Sequence, residues 1–378
     1  LTGPPVITLF GQDVCLFFTQ ALGGRLDQVL QRHLVLMRPG FEASLRDEFL
    51  DRFDLNGEVI CRAGVGFSDS LRLPRVRDSV FARQLMPRAR VFTEADQDCL
   101  AKLIFERISV LTRRSNRQSG VWTLHAFAID DDDQLARAKK IGKVVMQLLR
   151  EKHKGFVARY VVPEEFARTE RSPHDVIIQL YASGPCEMWL SAAALADGLS
   201  PWEAGFQRMK TLAGAPSRSA SKLEEALLVL GEFPKRGQTA VDLGAAPGGW
   251  SYVLAHHGAH VTAIDHANLD LPRMGKLKGQ IIHRRENGLK FLPATPVDWL
   301  VCDMVIGYRE TLRVLQAWLD ADAMQYFVVN VKLPKSKHWP MVKEALSLIE
   351  GYGWGVVTGQ HLLHDRSEIT LLGRRTVR

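Results

Sequence analysis

VDLGAAPGGW, Val241 to Trp250, is the stretch on which the reading of this chain turns. Thr239, Ala240 and Val241 form an apolar, partly β-branched lead-in that predicts a strand; Asp242 and a run of small residues follow, and Trp250 to Ala255 predicts a helix. This is a strand, a tight loop and a helix N-terminus. A loop with so few side chains lets a ligand lie against backbone N–H groups, and Gly244, Gly248 and Gly249 can adopt the positive φ that such a turn requires.

The spacing G-A-A-P-G-G decides the class of ligand. The dinucleotide fingerprint needs G-x-G-x-x-G, with backbone donors converging on a pyrophosphate. Here Pro247 removes a donor, and Asp242 stands where a carboxylate repels phosphate but attracts a cationic amino-acid group. Sixteen residues after Gly249, the run HVTAID predicts a second strand ending in Asp265, placed to accept hydrogen bonds from ribose hydroxyls. A nucleoside bearing an ammonium and a sulfonium fits these residues better than one bearing phosphates. S-adenosylmethionine is the expected cofactor, and a nicotinamide dehydrogenase is excluded by Pro247 and the glycine spacing.

Outward from this loop, strand and helix patterns alternate. VTAID, QIIHRR, DWLVCD, YFVVNVK and EITLLGR read as strands, with helices around 308–319 and 338–350. Upstream, Ser219 or Ser221 is positioned to cap a helix from Lys222 to Leu230, with Glu224 and Glu225 in its first turn. The expected fold of 218–378 is a Rossmann-like, doubly wound α/β domain, in which ligands bind outside the carboxyl ends of the strands. Asp303 ends one strand and Lys332 ends another, so both are expected in one crevice with the glycine loop. Methyl transfer is a displacement that needs alignment of donor and acceptor and removal of a proton. Lys332 is the candidate base, Lys222 a candidate second cation beside it, and Glu368 a candidate anchor for Lys222.

The remainder is less distinctive. Residues 1–32 are read as an extension without a signal-peptide pattern. Residues 33–112 predict a ferredoxin-like α+β unit, including a helix Phe41–Arg52 with Phe41, Leu45, Phe49 and Leu50 on one face. Residues 113–200 predict a second α+β unit with a long helix from Asp133 to Lys152 and a hairpin turning at Gly184-Pro185; residues 201–217, rich in Pro, Gly and Ala, predict a linker. The four aspartates Asp130 to Asp133 precede a helix that ends in Arg150 and Lys152, an arrangement the helix dipole favours, so they are read as helix-terminal residues and not as a metal site. His256, His257 and His260 are likewise read as structural. No metal site is expected.

A net charge of +7 and the basic positions Arg113, Arg114, Arg117, Lys152, Lys154, Arg159, Arg168 and Arg171 suggest an anionic partner such as RNA. No apolar run reaches the roughly 20 residues of a membrane span. Five widely spaced cysteines fit neither a disulfide framework nor a zinc site, and point to buried, reduced thiols in a cytoplasmic protein.

SKLEEA, VDLGAAPGGW, VCDMV, VNVKLP and RSEIT together resemble the motifs of Rossmann-fold (class I) RNA ribose 2′-O-methyltransferases with a Lys-Asp-Lys-Glu tetrad. With LVLMRPGFE, FARQ, APSRS and LLHDRSEIT, the chain from about residue 33 onward is similar to bacterial 23S ribosomal RNA cytidine 2′-O-methyltransferases of the RlmM type. The resemblance implies a catalytic tetrad of Lys222, Asp303, Lys332 and Glu368. It also implies a cofactor site of Ser219, Ala246, Pro247, Gly248, Gly249, Asp265 and Asp303, beside the Asp242 and Gly244 already noted, a THUMP RNA-binding domain in the amino-terminal half, and 23S ribosomal RNA or its precursor as partner. One departure is visible: where the family carries an acid at the adenine, within a segment like RRENG, this chain has Asn287, which still accepts through its amide oxygen. An RNA base methyltransferase and a nonenzymatic RNA-binding or assembly protein are the alternatives. The first normally needs a Pro-Pro-aromatic sandwich or a catalytic cysteine, whereas Asp303 is followed by Met304-Val305-Ile306.

Overall fold

The computed structural model describes residues 32–115, 120–207, 212–336 and 338–375. Expectations for the amino-terminal extension, for Arg117 and for the side chains of Arg113 and Arg114 lie outside the described residues. The described strands form two seven-stranded sheets. The first is built from β1 (Arg32–Leu36), β2 (Glu58–Cys61), β3 (Gly64–Ser68), β4 (Gln84–Thr93), β5 (Trp122–Phe127), β6 (Val176–Gly184) and β7 (Glu187–Ala194), in the order β2-β3-β1-β4-β7-β6-β5. Its helices are α1 (Glu42–Phe53), α2 (Gln97–Ser115), α3 (Asp132–Lys152), α4 (Lys154–Val157) and α5 (Pro163–Arg168).

The second sheet contains β8 (Thr239–Leu243), β9 (His260–Ile264), β10 (Gln280–Arg284), β11 (Val297–Cys302), β12 (Met324–Lys332), β13 (Val356–Gln360) and β14 (Glu368–Arg374), ordered β10-β9-β8-β11-β12-β14-β13. The helices of this region are α6 (Ala220–Leu230), α7 (Gly249–His257), α8 (Tyr308–Asp320) and α9 (His338–Glu350). Strands β8 to β12 pair in parallel, whereas β14 runs antiparallel to both β12 and β13. This is the expected doubly wound α/β sheet. The strand β13 was not anticipated, because VVTGQ is short and broken by Gly359.

The described residues form two compact units. One contains the described residues up to Leu34, with Gly66–Arg72 and Met86–Asp197; the other contains Val35–Val65, Leu73–Leu85 and Gly198–Arg378. In the first, α3 packs its apolar stripe of Ala138, Ile141, Val145 and Leu149 against Leu124, Ala126, Ile178 and Leu180 of the sheet. Asp131 caps α3 by accepting from the Gln134 N–H at 3.0 Å, and Asp132 and Asp133 occupy its first turn, which is the structural role expected of the aspartate run.

In the second unit, α1 packs on α9: Ser44 Oγ lies 2.7 Å from His338 Nδ1, and Asp51 accepts from Trp339 Nε1 at 3.1 Å and Lys343 Nζ at 2.6 Å. Phe41, Leu45 and Phe49 of the expected apolar face are buried, but Leu50 is 54% exposed, because it falls a further 100° round the helix, beyond the stripe. Buried Glu48 receives the backbone N–H groups of Val80 and Phe81 and the Ser79 hydroxyl, and thereby ties the 73–85 segment to α1. The segment is joined to the second sheet by the bonds His361 N–H to Val80 O and Gln360 Nε2 to Ser79 O.

Three local expectations need correction. Helix α6 starts at Ala220, so Lys222 falls in its first turn and Glu224 and Glu225 lie beyond it. Ser219 stands at the N-cap but makes no capping bond; its Oγ pairs with Ser217 Oγ at 2.6 Å instead, and Ser221 lies inside the helix. Of the described cysteines only Cys302 is buried; Cys61 and Cys186 are half-buried and Cys99 is exposed, since each lies near an element end or on a helix face turned from the core. Among the described residues no helix is long and apolar enough to cross a membrane, and no cluster of metal-ligating side chains occurs.

Candidate active site at the carboxyl ends of the second sheet

Strand register places the site. Leu243, Ile264, Cys302 and Val329 are matched across β8, β9, β11 and β12, so the residues that follow them emerge along one edge. Those residues are Gly244, Asp265, Asp303 and Asn330. In the antiparallel ladder between β12 and β14, Lys332 stands directly opposite Glu368 and Asn330 opposite Thr370. Residues two apart on a strand share a face, so Asn330 and Lys332 point the same way, toward Lys222 in the first turn of α6.

The four residues of the expected tetrad meet. Lys222 Nζ and Lys332 Nζ each donate to a different oxygen of Glu368, so this carboxylate bridges the two lysines and does not serve Lys222 alone. Asp303 Oδ1 lies 3.8 Å from Lys222 Nζ and 3.6 Å from Lys332 Nζ, and is held by Asn330 Nδ2 at 2.6 Å. The side chains of Lys332 and Asp303 are 28% and 21% exposed, against 6% and 11% for Lys222 and Glu368. Lys332 and Asp303 are therefore the more open members of the cluster, with Lys222 and Glu368 behind them.

Electrostatics sharpen the division. Burial works to lower the Lys222 pKa, but Asp365, Asp303 and Glu368 outweigh it and hold the ammonium above its ordinary value. Lys222 is a fixed cation. Burial likewise works to raise Glu368, and the hydrogen bonds and charges of Lys222 and then Lys332 overcome it, leaving this carboxyl below its ordinary value.

The glycine loop has the shape expected of it, with one exception. Gly244 has φ +76°, and a Cβ there would stand 2.5 Å from Met304 Cγ; Gly248 has φ +112°, with a Cβ 2.2 Å from Met274 Cε. Gly249 is not in the positive-φ region, since it opens α7; its missing Cβ instead makes room for Ser217 Oγ and Ser219 Oγ, which would lie 2.2 and 2.8 Å away. The Ala246–Pro247 bond is cis. Asp265 accepts from the N–H groups of Ala246 at 3.0 Å and Ala267 at 2.8 Å, so its carboxylate shapes the loop. Asn287 is exposed and accepts from the Leu289 N–H at 2.9 Å, while its neighbour Gly288 faces Met304 and Gly244.

Asp242 is buried, with Ser251 Oγ donating to it at 2.6 Å, and burial raises its pKa to about 7. The folded value exceeds the unfolded one, so the native state binds the extra proton and this carboxyl withdraws stability as pH rises from about 4 to about 7. Asp242→Asn removes that dependence. The stability of the variant relative to wild type is expected to grow between pH 5 and pH 8 by up to about 3 kcal/mol. Chemical unfolding of both proteins at the two pH values checks it, and the pH-independent effect of the amide cancels in the comparison.

Residues that sequence reasoning passed over complete the site: Asn330, Thr370, Asp365 and Met304. Asn330 sits within the quoted motif VNVKLP, and its place two residues before Lys332 was the available signal.

Comparison with known proteins bears on the same region. Residues 215–346 match the family model described as FtsJ-like methyltransferase. This part of the chain is similar to FtsJ-like methyltransferases. "Ribosomal RNA large subunit methyltransferase M" of Xanthomonas campestris is 40% identical over 194 residues, covering 49% of this chain and 55% of that protein. The protein of the same name from Methylococcus capsulatus is 41% identical over 185 residues, covering 47% and 52%. The match thus spans about half the length of these curated relatives. The family match includes Lys222, Asp303 and Lys332, and Glu368 lies beyond its end.

Proposed function

We propose that the FtsJ-like domain methylates a ribose 2′-hydroxyl of RNA with S-adenosylmethionine as donor, the acceptor being a cytidine of 23S ribosomal RNA or its precursor in the cytoplasm. The observation that carries this reading is the half-buried Lys332 amine, bridged through Glu368 to a buried, charged Lys222 beside the glycine loop. The names of the relatives supply the ribosomal RNA.

The residues present fit the cofactor: Gly244, lacking a Cβ, lets Met304 close against the end of β8 without a bulky side chain in the loop, and Asp265 adds a carboxylate for ribose hydroxyls. When bound, the cofactor supplies a methyl group activated on a sulfonium. Gly244, Ala246, Pro247, Gly248 and Gly249 would lie along it, with Ser219, Asp303 and Asn287 at its margins and Asp242 beneath the loop. Lys332 accepts the proton of the 2′-hydroxyl, which requires that it meet the substrate neutral. Asp303 orients its amine, and Lys222 remains charged and positions Glu368. The amino-terminal half is proposed as the RNA-binding part, with a ferredoxin-like segment at 33–112 and a THUMP domain at 113–200. Lys152 and Lys154 are exposed there, whereas Arg171 is engaged with Phe166 and Glu165.

A base-methylating enzyme using a cysteine is disfavoured by Cys302, whose buried thiol is pushed up to about 12 and is no nucleophile at neutral pH.

Calorimetry tests the cofactor assignment. Binding of S-adenosylmethionine and of its demethylated product is expected, and Gly244→Val is expected to weaken it by about 5- to 150-fold, since a β-branched residue at positive φ costs about 1–3 kcal/mol, which the loop relieves by leaving its binding shape. Tight binding of NAD with neither of those ligands would overturn the reading.

A further inference from the structure

Two lysines share Glu368, yet the chemistry asks different things of them. We infer that Asp365 is the positioning residue that makes them unequal, so that the proton departs from Lys332 and not from Lys222; this rests on the proposed methyl transfer.

The geometry is one-sided. Lys222 Nζ faces three carboxylates, Glu368, Asp365 at 3.3 Å and Asp303 at 3.8 Å. Lys332 Nζ faces two of them, Glu368 and Asp303. Asp365 is fully buried, and its orientation is set from several sides. Its Oδ2 accepts from the Leu362 N–H at 3.0 Å and lies 3.1 Å from Thr370 Oγ, while its backbone carbonyl accepts from Arg38. The neighbouring Leu362 carbonyl accepts from Arg83 Nη2 at 2.6 Å, and the Leu363 N–H donates to both oxygens of Glu225 at 3.1 Å. These contacts leave Oδ1 without a hydrogen bond of good geometry, turned toward the Lys222 ammonium and meeting it as a charge.

A second chain of contacts runs behind the lysines. Thr370 Oγ is within reach of both Asp365 Oδ2 and Asn330 Oδ1, and Asn330 holds Asp303. The carboxylates on either side of Lys222 are therefore mechanically linked. The other charged groups around this cluster are Glu225 on the same helix, His364 in the Asp365 loop, and Arg38, Arg83 and Arg218. Of the cationic groups, the arginines keep their charge at every working pH. An extra buried negative charge on Lys222 alone makes loss of its proton costlier than loss from Lys332.

The test uses the full chain with 13C-labelled lysine, whose ε-carbon shift reports protonation, with the two signals assigned from spectra of Lys222→Met and Lys332→Met. In the wild type Lys332 is expected to lose its proton at lower pH than Lys222. Asp365→Asn is expected to narrow that gap by at least about one pH unit and to lower kcat roughly tenfold, with the Kd for S-adenosylmethionine changed less than about twofold. A folded Asp365→Asn protein whose gap is unchanged would overturn the inference. Should that variant fail to fold, Thr370→Val loosens Asp365 without removing its charge; a smaller narrowing supports the inference and an unchanged gap sinks it. If the gap narrows as expected while wild-type protein methylates no RNA, the proposed function fails and the asymmetry of the lysine pair stands.

Discussion

Replacing Lys332 by alanine is expected to lower methyl transfer by about 10²- to 10⁴-fold, the usual contribution of a general base, while cofactor binding stays nearly unchanged. Lys332 is the more open of the two lysines in the cluster, whereas Lys222 is buried and held charged by three carboxylates. Lys332→Arg is expected to be nearly as inactive, because a guanidinium keeps its proton. The arginine also preserves the positive charge opposite Glu368, so it separates two roles that alanine removes together. Single-turnover methylation of RNA by both variants, with cofactor affinity measured alongside, provides the check. Substantial activity in the arginine variant means that Lys332 acts as a fixed charge.

The second large effect is expected at Glu368. This carboxylate takes one hydrogen bond from each lysine, so Glu368→Ala leaves two ammonium groups close together with only Asp303 and Asp365 to balance them. Removing one partner of a buried ion pair typically costs about 3–5 kcal/mol, and a loss of that order is expected in denaturant unfolding at pH 7. Activity is expected to fall with it, since both lysines lose their common anchor. The sign of the pH dependence follows from the lowered folded pKa of Glu368. Its stabilisation is fully present above the ordinary value of 4.5 and fades as pH falls through the folded value. Wild type and variant should therefore converge in acid. A difference that persists undiminished at low pH would mean that the loss is one of packing and not of charge.

Several features were legible before any coordinates. The small-residue loop after Val241 could be read as a turn because glycine at positive φ has no alternative explanation in a strand–loop–helix pattern, and Gly244 and Gly248 have that geometry. The third glycine could not be read in the same way. Gly249 is required by the close approach of Ser217 and Ser219, which belong to a segment about thirty residues upstream, and no local pattern records such a contact. Helix α6 starts two residues before the expected Lys222, because Ser221 has the composition of a cap yet lies inside the helix.

The sequence by itself determined that strands end in Asp303 and Lys332 and that a further strand begins at Glu368. Apolar runs stop where a polar residue must leave the sheet, and in a parallel sheet successive strands end on the same side. The tertiary structure alone decided which of these groups touch. The antiparallel register of β12 and β14 puts Lys332 opposite Glu368, and a slip of one residue would have turned one of them to the other face. Folding of the 73–85 segment and of Arg38 onto the loop before β14 fixed Asp365 against Lys222. The carboxylates of Asp365, Asp303 and Glu368, which outweigh the effect of burial, then set the Lys222 ammonium apart from the more open Lys332, because the state of a charged group depends on its surroundings and not on the residue type.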